Sequence, residues 1–357
     1  MNLSAEGISI NGKWISAADL PGFCQQRIDS SIPEWEKKVY RFLLDWIDTN
    51  DFITQTSSGT TGMKKEFKLP KSSMIVSAKT TCSYLELKPG ENALLCLPVD
   101  YIAGKMMIVR AMVCSLDLLL TDPDGTPDFK GYDVIDFCAM VPLQVFNLMN
   151  SEGILKRIKN LIIGGGEIRE ELENRLKNLP TRIYATYGMA ETCSHVALRK
   201  VNGLNSTSFF SAIPGVNLEK DKRGCLLINA DFLPEPIQTN DLVEFSGSNS
   251  FLWLGRYDNL INSGGVKIIP EELEEKISKI LGTDCAVVGL PDPKLGEKLV
   301  LVLEEQTDAM SPEILLKKLR KSLDKHMIPK EIKRINKLPR NTAFKIDRHA
   351  LLSKIEG

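Results

Sequence analysis

Net charge, paired cysteines and long apolar runs are all scarce in this sequence. Its 357 residues carry 45 Lys and Arg against 46 Asp and Glu, a formal charge of -1. No global field therefore draws the chain to nucleic acid or an anionic membrane, and any anion must be captured by a local site. The eight cysteines are widely spaced without a CxxC pair, which argues against a metal-ligand pattern and for reduced thiols buried as small hydrophobes. The most apolar window, 106–120, is interrupted by Arg110 and Asp117 and falls short of the ~20 residues that span a bilayer. The opening MNLSAEGISINGKW lacks the basic start and apolar stretch of a secretory leader, so no membrane insertion and a cytoplasmic location are expected. Internal repeats and low-complexity tracts are missing too.

What remains is ordinary globular composition, 43% hydrophobic and 25% charged, with a length that suggests two domains at about 150 residues each. Trp35, Val39, Phe42, Leu43 and Trp46 recur at helical spacing within 33–50, which predicts an amphipathic helix. Short apolar runs at 93–98, 134–142, 161–166 and 182–188 alternate with helical patterns such as 167–179. That alternation predicts an α/β fold with a largely parallel sheet. From about residue 215 the pattern changes to antiparallel strands, with LVEF and FLWL separated by 246–250. Pro270 then opens a helix, PEELEEKISKIL, with acidic residues in its first turn. Strands at 286–290 and 299–303 and a helix at 312–325 complete a small α+β domain.

The segment TSSGTTGMKK at 56–65 concentrates hydroxyls, two glycines and two lysines in one loop. Backbone N–H groups of such a turn can converge on phosphate, and hydroxyls add donors without net charge. Only two residues separate Gly59 from Gly62, so the loop does not fit the GxxxxGK[ST] phosphate loop. Read alone, it equally suits a polar surface turn.

The loop resembles the [ST]SGTTGxPK segment of the adenylate-forming superfamily of acyl-CoA synthetases, luciferases and peptide-synthetase adenylation domains. YATYGMAET at 184–192 resembles that family's YGxTE motif, TNDLVEF at 239–245 its TGD motif, and LGRYDNLINSGGVKIIPEELE at 254–274 its GRxDxxIKxxGxxIxPxEIE motif. PRNTAFKIDR at 339–348 resembles the closing PRTxxGKIxR. Five motifs in order span 54–348. Within the superfamily, YGMAETCSHVA, LPVDYIAGKMMIVR and AMVPLQVFNLM look most like the o-succinylbenzoate-CoA ligases of menaquinone synthesis.

The resemblance implies a carboxylate substrate, ATP, Mg²⁺ and coenzyme A. It assigns Thr56, Ser57, Ser58, Gly59, Thr60, Thr61 and Gly62 to the β- and γ-phosphates, with Lys64 as a nearby cation. Gly164, Gly165 and Gly166 would lie against the base, Tyr187 would stack on adenine next to Gly188, and Asp241 and Arg256 would meet the ribose. Glu191 would hold Mg²⁺, Thr192 would donate to the α-phosphate, and Lys345 would bridge carboxylate and α-phosphate during adenylation. Tyr101, Lys105, Arg110 and His195 are candidates for the acid site, the two cations for a second carboxylate. The resemblance also implies a large N-terminal domain, 1–256, and a small mobile C-terminal domain, 257–357, turning about Asp258. Ser263, Gly264, Gly265 and Lys267 would then line the coenzyme A channel.

Three residues depart from the family pattern: Met63 for Pro, Asn240 for Gly, and Phe344 for Gly before Lys345. The region before the loop, about 55 residues, is short for the family, and the surface so exposed makes a homodimer an expectation. Another carboxylate-CoA ligase, a stand-alone adenylation enzyme and a non-catalytic nucleotide-binding module remain the competing readings.

Overall fold

Five apolar side chains of the helix Glu34–Ile47 (Val39, Tyr40, Phe42, Leu43 and Trp46) are buried along one face, each stabilising the fold by roughly 1.5–3 kcal/mol on the usual area scale. The helix agrees with the one read from the sequence. The computed structural model describes residues 6–56, 66–129, 131–149, 153–305, 311–340 and 346–356, and the chain is α/β as expected. It divides into two compact units, Met1–Asn217 with Asn229–Ile237, and Leu218–Ile228 with Gln238–Gly357.

The first unit is built on a mostly parallel sheet. Its strands lie side by side in the order Lys13–Ser16, Gly7–Ile10, Asp117–Leu120, Asn92–Leu95, Ile135–Met140, Ile158–Ile163, Arg182–Gly188, His195–Lys200 and Phe210–Ala212. From Gly7–Ile10 to Arg182–Gly188 every pairing is parallel. The neighbours at either end are antiparallel. Both faces of the parallel core are covered, which is why its strands read as unbroken apolar runs. Ala93, Leu95 and Leu97 pack into one apolar cluster, while Leu94 and Cys96 pack into the opposite one. The apolar window 106–120 resolves into the helix Ile102–Cys114 and the strand Asp117–Leu120, separated by Ser115 at φ +54°. All eight cysteines are free, and all except Cys114 are buried.

In the second unit, which takes in the strand Ile237–Phe245 from Gln238 onward, that strand and Ser250–Arg256 form the expected antiparallel pair, with Asp241 opposite Arg256. Beyond it, Cys285–Asp292 and Gly296–Glu304 pair antiparallel, and Glu331–Ile335 lies parallel to the latter. Alternate residues serve opposite faces. Val287, Leu299, Leu301 and Leu303 meet Leu273, Ile277, Leu315 and Leu319, whereas Ala286, Val288, Val300 and Val302 meet Leu351 and Ile355. The helix Pro270–Leu281 runs from its opening proline to a left-handed Gly282. Two helices are shorter than their sequence patterns: Glu170–Leu176 rather than 167–179, and Pro312–Leu319 rather than 312–325. In the second case Ser322 and Leu323 turn back onto Leu319 O before Asp324 opens a 3₁₀ turn. No helix among the described residues is long and apolar enough to cross a membrane.

Candidate active site

The strands Phe52–Thr56 and Glu66–Pro70 pair antiparallel, with Thr56 opposite Glu66, so the hydroxyl-rich segment connects the two arms of a hairpin. Ser57, Ser58, Gly59, Thr60, Thr61, Gly62, Met63 and Lys64 lie outside the described residues, as do Phe344 and Lys345.

A second hairpin carries the Glu191 turn. Arg182–Gly188 returns as His195–Lys200 with Gly188 opposite His195. A Cβ on Gly188 would fall 2.3 Å from Ser194 O, a crossing that only glycine permits. Thr192 shapes the turn from inside. Its hydroxyl accepts from Met189 N at 3.0 Å and lies 2.9 and 2.6 Å from Met189 O and Ser194 O. With the residue fully buried, the hydroxyl proton serves these backbone carbonyls in this conformation. Cys193 holds φ at +62°, unusual for a residue with a Cβ and a mark of a locally strained turn. Glu191 projects exposed from this turn.

No group of three or more His, Cys, Asp or Glu side chains is arranged to hold a metal ion among the described residues. Mg²⁺ needs no such cage, because it is commonly held by one or two carboxylates together with substrate phosphates. An exposed carboxylate such as Glu191 fits that requirement. Tyr187 sits half-buried with its ring 6.0 Å from that of Phe210. Gly164 follows the strand Ile158–Ile163 and donates to Met140 O at 3.0 Å, and Gly165 and Gly166 follow it.

The two cations proposed for the acid are separated by the helix that carries them. Lys105 turns toward the hairpin of Phe52–Thr56 and Glu66–Pro70, donating to Gln55 Oε1 at 2.8 Å and Thr54 O at 3.2 Å, and burial pushes its amine below the ordinary lysine value. Tyr101, 44% exposed, stands at the N-cap of that helix. Arg110 turns the other way and is 2% exposed. Its Nη2 donates to Ser194 Oγ at 2.7 Å, its guanidinium lies 5.9 Å from the Phe137 ring, and its Nε has no partner. No carboxylate among the described residues lies within ion-pairing distance, and burial pushes the guanidinium down to about 10.

His195 completes this cluster. Its Nε2 is 3.1 Å from Thr81 Oγ1, whose own proton goes to Ser77 O, so Nε2 is the donor. Burial and the Arg110 charge push the imidazole down to about 3. A group depressed from an ordinary value of about 6.5 is neutral in the fold, and the unfolded chain takes up its proton first. Its contribution to stability is thus full above pH 6.5 and lost as pH falls from there toward 3. The native chain should lose on the order of 1 kcal/mol more than His195→Gln between pH 7.5 and 5.5, as urea titrations at each pH would measure; parallel curves would refute this.

Ser194 and Thr81 were not picked out in the sequence. Ser194 had a signal, since it lies two residues past the Glu191 motif, whereas nothing local to Thr81 points to His195, 114 positions away.

In the second unit Asp241 is buried, accepts from Trp253 Nε1 at 3.1 Å and lies 3.6 Å from Arg256. Asp258 lies in the 3₁₀ turn Tyr257–Asn259 and takes a 2.7 Å bond from Arg256 Nη2. Gly264 and Gly265, at φ +61° and +84°, make the tight turn between Ile261–Ser263 and Val266–Ile268, leaving Ser263 half-buried and Lys267 exposed. Around the segment that contains Lys345, Arg340 bridges Ile346 and pairs with Asp284. Arg348 donates to Glu274 at 2.9 Å and to Val287 O at 2.8 Å.

Comparison with known proteins identifies the family. The AMP-binding enzyme family matches residues 28–219, and the AMP-binding enzyme C-terminal domain matches residues 266–345. A probable 2-succinylbenzoate-CoA ligase of Mycobacterium tuberculosis is 28% identical, over 87% of this chain and 86% of its own length. A 2-succinylbenzoate-CoA ligase of Staphylococcus aureus is 25% identical, over 83% of this chain and 65% of its own. Among solved structures, an AMP-forming acyl-CoA synthetase/AMP-acid ligase II-like protein of Dyadobacter fermentans is 34% identical at a TM-score of 0.62, covering 94% of this chain and 98% of that one. The o-succinylbenzoate coenzyme A synthetase of Bacillus subtilis, in complex with ATP and magnesium ion, shares the fold at a TM-score of 0.75 and 17% identity, covering 98% and 97%. With more than half of its length matched by the AMP-binding enzyme pattern, this chain belongs to that adenylate-forming family, as an AMP-forming acyl-CoA ligase.

Proposed function

We propose that the acid is o-succinylbenzoate and that the protein joins it to coenzyme A in menaquinone synthesis. The observation that carries this reading is Arg110, a buried guanidinium with no carboxylate partner among the described residues. An uncompensated buried charge costs several kcal/mol, and a second carboxylate on the substrate would offset that cost. Neutral His195 and Ser194, beside Arg110, add polar contacts. Lys105, already engaged by the hairpin, braces the phosphate loop instead.

The chemistry runs in two halves. A carboxylate oxygen attacks the α-phosphorus of ATP while the bond to the pyrophosphate oxygen breaks. The coenzyme A sulfur then attacks the acyl carbon, AMP leaves, and the thiol proton passes to solvent. Residues 56–62 and Lys64 hold the triphosphate, Tyr187 and Gly164–Gly166 the base, and Asp241 and Arg256 the ribose. Thr192 sets the turn that presents Glu191. Mg²⁺ bound at Glu191 would neutralise phosphate charge. Lys345 serves the first half, and rotation about Asp258 brings the 263–267 turn to serve the second.

Incubating the protein with ATP, Mg²⁺, coenzyme A and a panel of carboxylic acids tests the substrate. Mass spectrometry should find o-succinylbenzoyl-CoA as the major thioester, and a fatty-acyl or benzoyl product in its place would overturn the assignment. Asp258→Pro should slow the second half-reaction at least tenfold more than the first, because proline fixes φ where a hinge must change it. Single-turnover rates for each half would measure this; equal slowing would count against the hinge.

A further inference from the structure

Asp258 is gripped from the strand beside it as well as by its neighbour Arg256. Asn240 Nδ2 donates to Asp258 Oδ1 at 2.8 Å while Arg256 Nη2 donates to Oδ2 at 2.7 Å, so each carboxylate oxygen has its own donor. Asn240 is itself held, because Arg223 Nη1 donates to its Oδ1 at 2.7 Å. Arg223 also donates to Thr239 O at 2.8 Å and lies 5.3 Å from the ring of Tyr257, the residue preceding Asp258. Asp221 fixes the arginine through its Nε at 2.8 Å. An amide with a locked oxygen presents its N–H₂ in one direction, and that direction is Asp258.

Glycine, which the family pattern has at position 240, could make none of these side-chain bonds. The departure from the pattern and the grip on the hinge turn are therefore the same feature.

We infer that Asn240, oriented by Arg223, is a positioning residue that latches the Tyr257–Asn259 turn and sets how readily the chain pivots between its two half-reactions. The inference rests on the reading of Asp258 as the hinge. The latch is partly solvent-exposed, so its strength is that of a single screened hydrogen bond to a carboxylate. Loss of it should loosen the turn without disturbing the sheet beneath, since the pairing of Ile237–Phe245 with Ser250–Arg256 is made by backbone rather than by these side chains.

The test compares Asn240→Ala, Asn240→Gly and Arg223→Lys with the native chain. Hydrogen exchange on the free protein should rise by about threefold to tenfold for peptides covering 256–261, with the Pro270–Leu281 helix unchanged. In single turnover, coenzyme A-dependent release of AMP from preformed o-succinylbenzoyl-adenylate should quicken by a similar factor, while ATP–pyrophosphate exchange stays within twofold. Unchanged exchange in 256–261, or equal changes in both half-reactions, overturns the latch. Asp258→Pro separates the two failures. If it slows the second half-reaction and the Asn240 variants do nothing, the latch alone is wrong; if it slows neither half selectively, the hinge reading falls and the latch with it.

Discussion

Lys345→Ala should slow adenylation by roughly 10²-fold or more, the scale of removing one preorganised donor to developing negative charge. Two anions, a carboxylate and a triphosphate, must approach to bonding distance in this step, and positioned positive charge is what lowers that barrier. The second half-reaction separates AMP from an already activated acyl group and has no such clash. Thioester formation from supplied acyl-adenylate should accordingly fall less than about threefold. Rapid-quench assays of each half would measure the split, and equal loss in both would remove Lys345 from its assigned role.

Arg110→Met should separate stability from activity. A buried guanidinium whose acceptors among the described residues are one hydroxyl and one thioether bears a desolvation cost that methionine does not. Replacing even a buried ion pair by apolar side chains is often neutral or stabilising by about 1–4 kcal/mol, and a lone buried charge lacks the attraction that offsets a pair's desolvation. The variant should therefore melt no lower than the native chain. Its kcat/KM for o-succinylbenzoate should nonetheless fall by about 10²-fold or more, since a bound carboxylate would be left buried without its partner. The analogue lacking the ring carboxylate should lose little. A lower melting temperature with both acids affected equally would make Arg110 structural.

The parts of the fold that could be read ahead were those where one periodicity dominates. The helix at Pro270 has its proline, its acidic first turn and its closing Gly282 within a dozen residues, and each signal is local. The strand Cys285–Asp292 was legible because both its faces are apolar. Gly7–Ile10 and Lys13–Ser16 went unread, being four residues each, the first dependent on pairing with Asp117–Leu120 across a hundred positions and the second on pairing with the first. The acid site shows the same division. Arg110 stood out as a cation in an apolar run, yet only the fold could separate it from Lys105, because five helical residues turn one side chain well away from the other. The bond from Asn240 to Asp258 joins two motifs separated in sequence by 246–253 and brought together by the pairing of Ile237–Phe245 with Ser250–Arg256.

Adenylate formation is the central step, and ATP–pyrophosphate exchange reports it without coenzyme A. With Mg²⁺ present, labelled pyrophosphate should enter ATP only when o-succinylbenzoate is added, and Glu191→Ala should abolish the incorporation. Exchange that proceeds at the same rate without any acid, or that no carboxylic acid can elicit, would contradict the account.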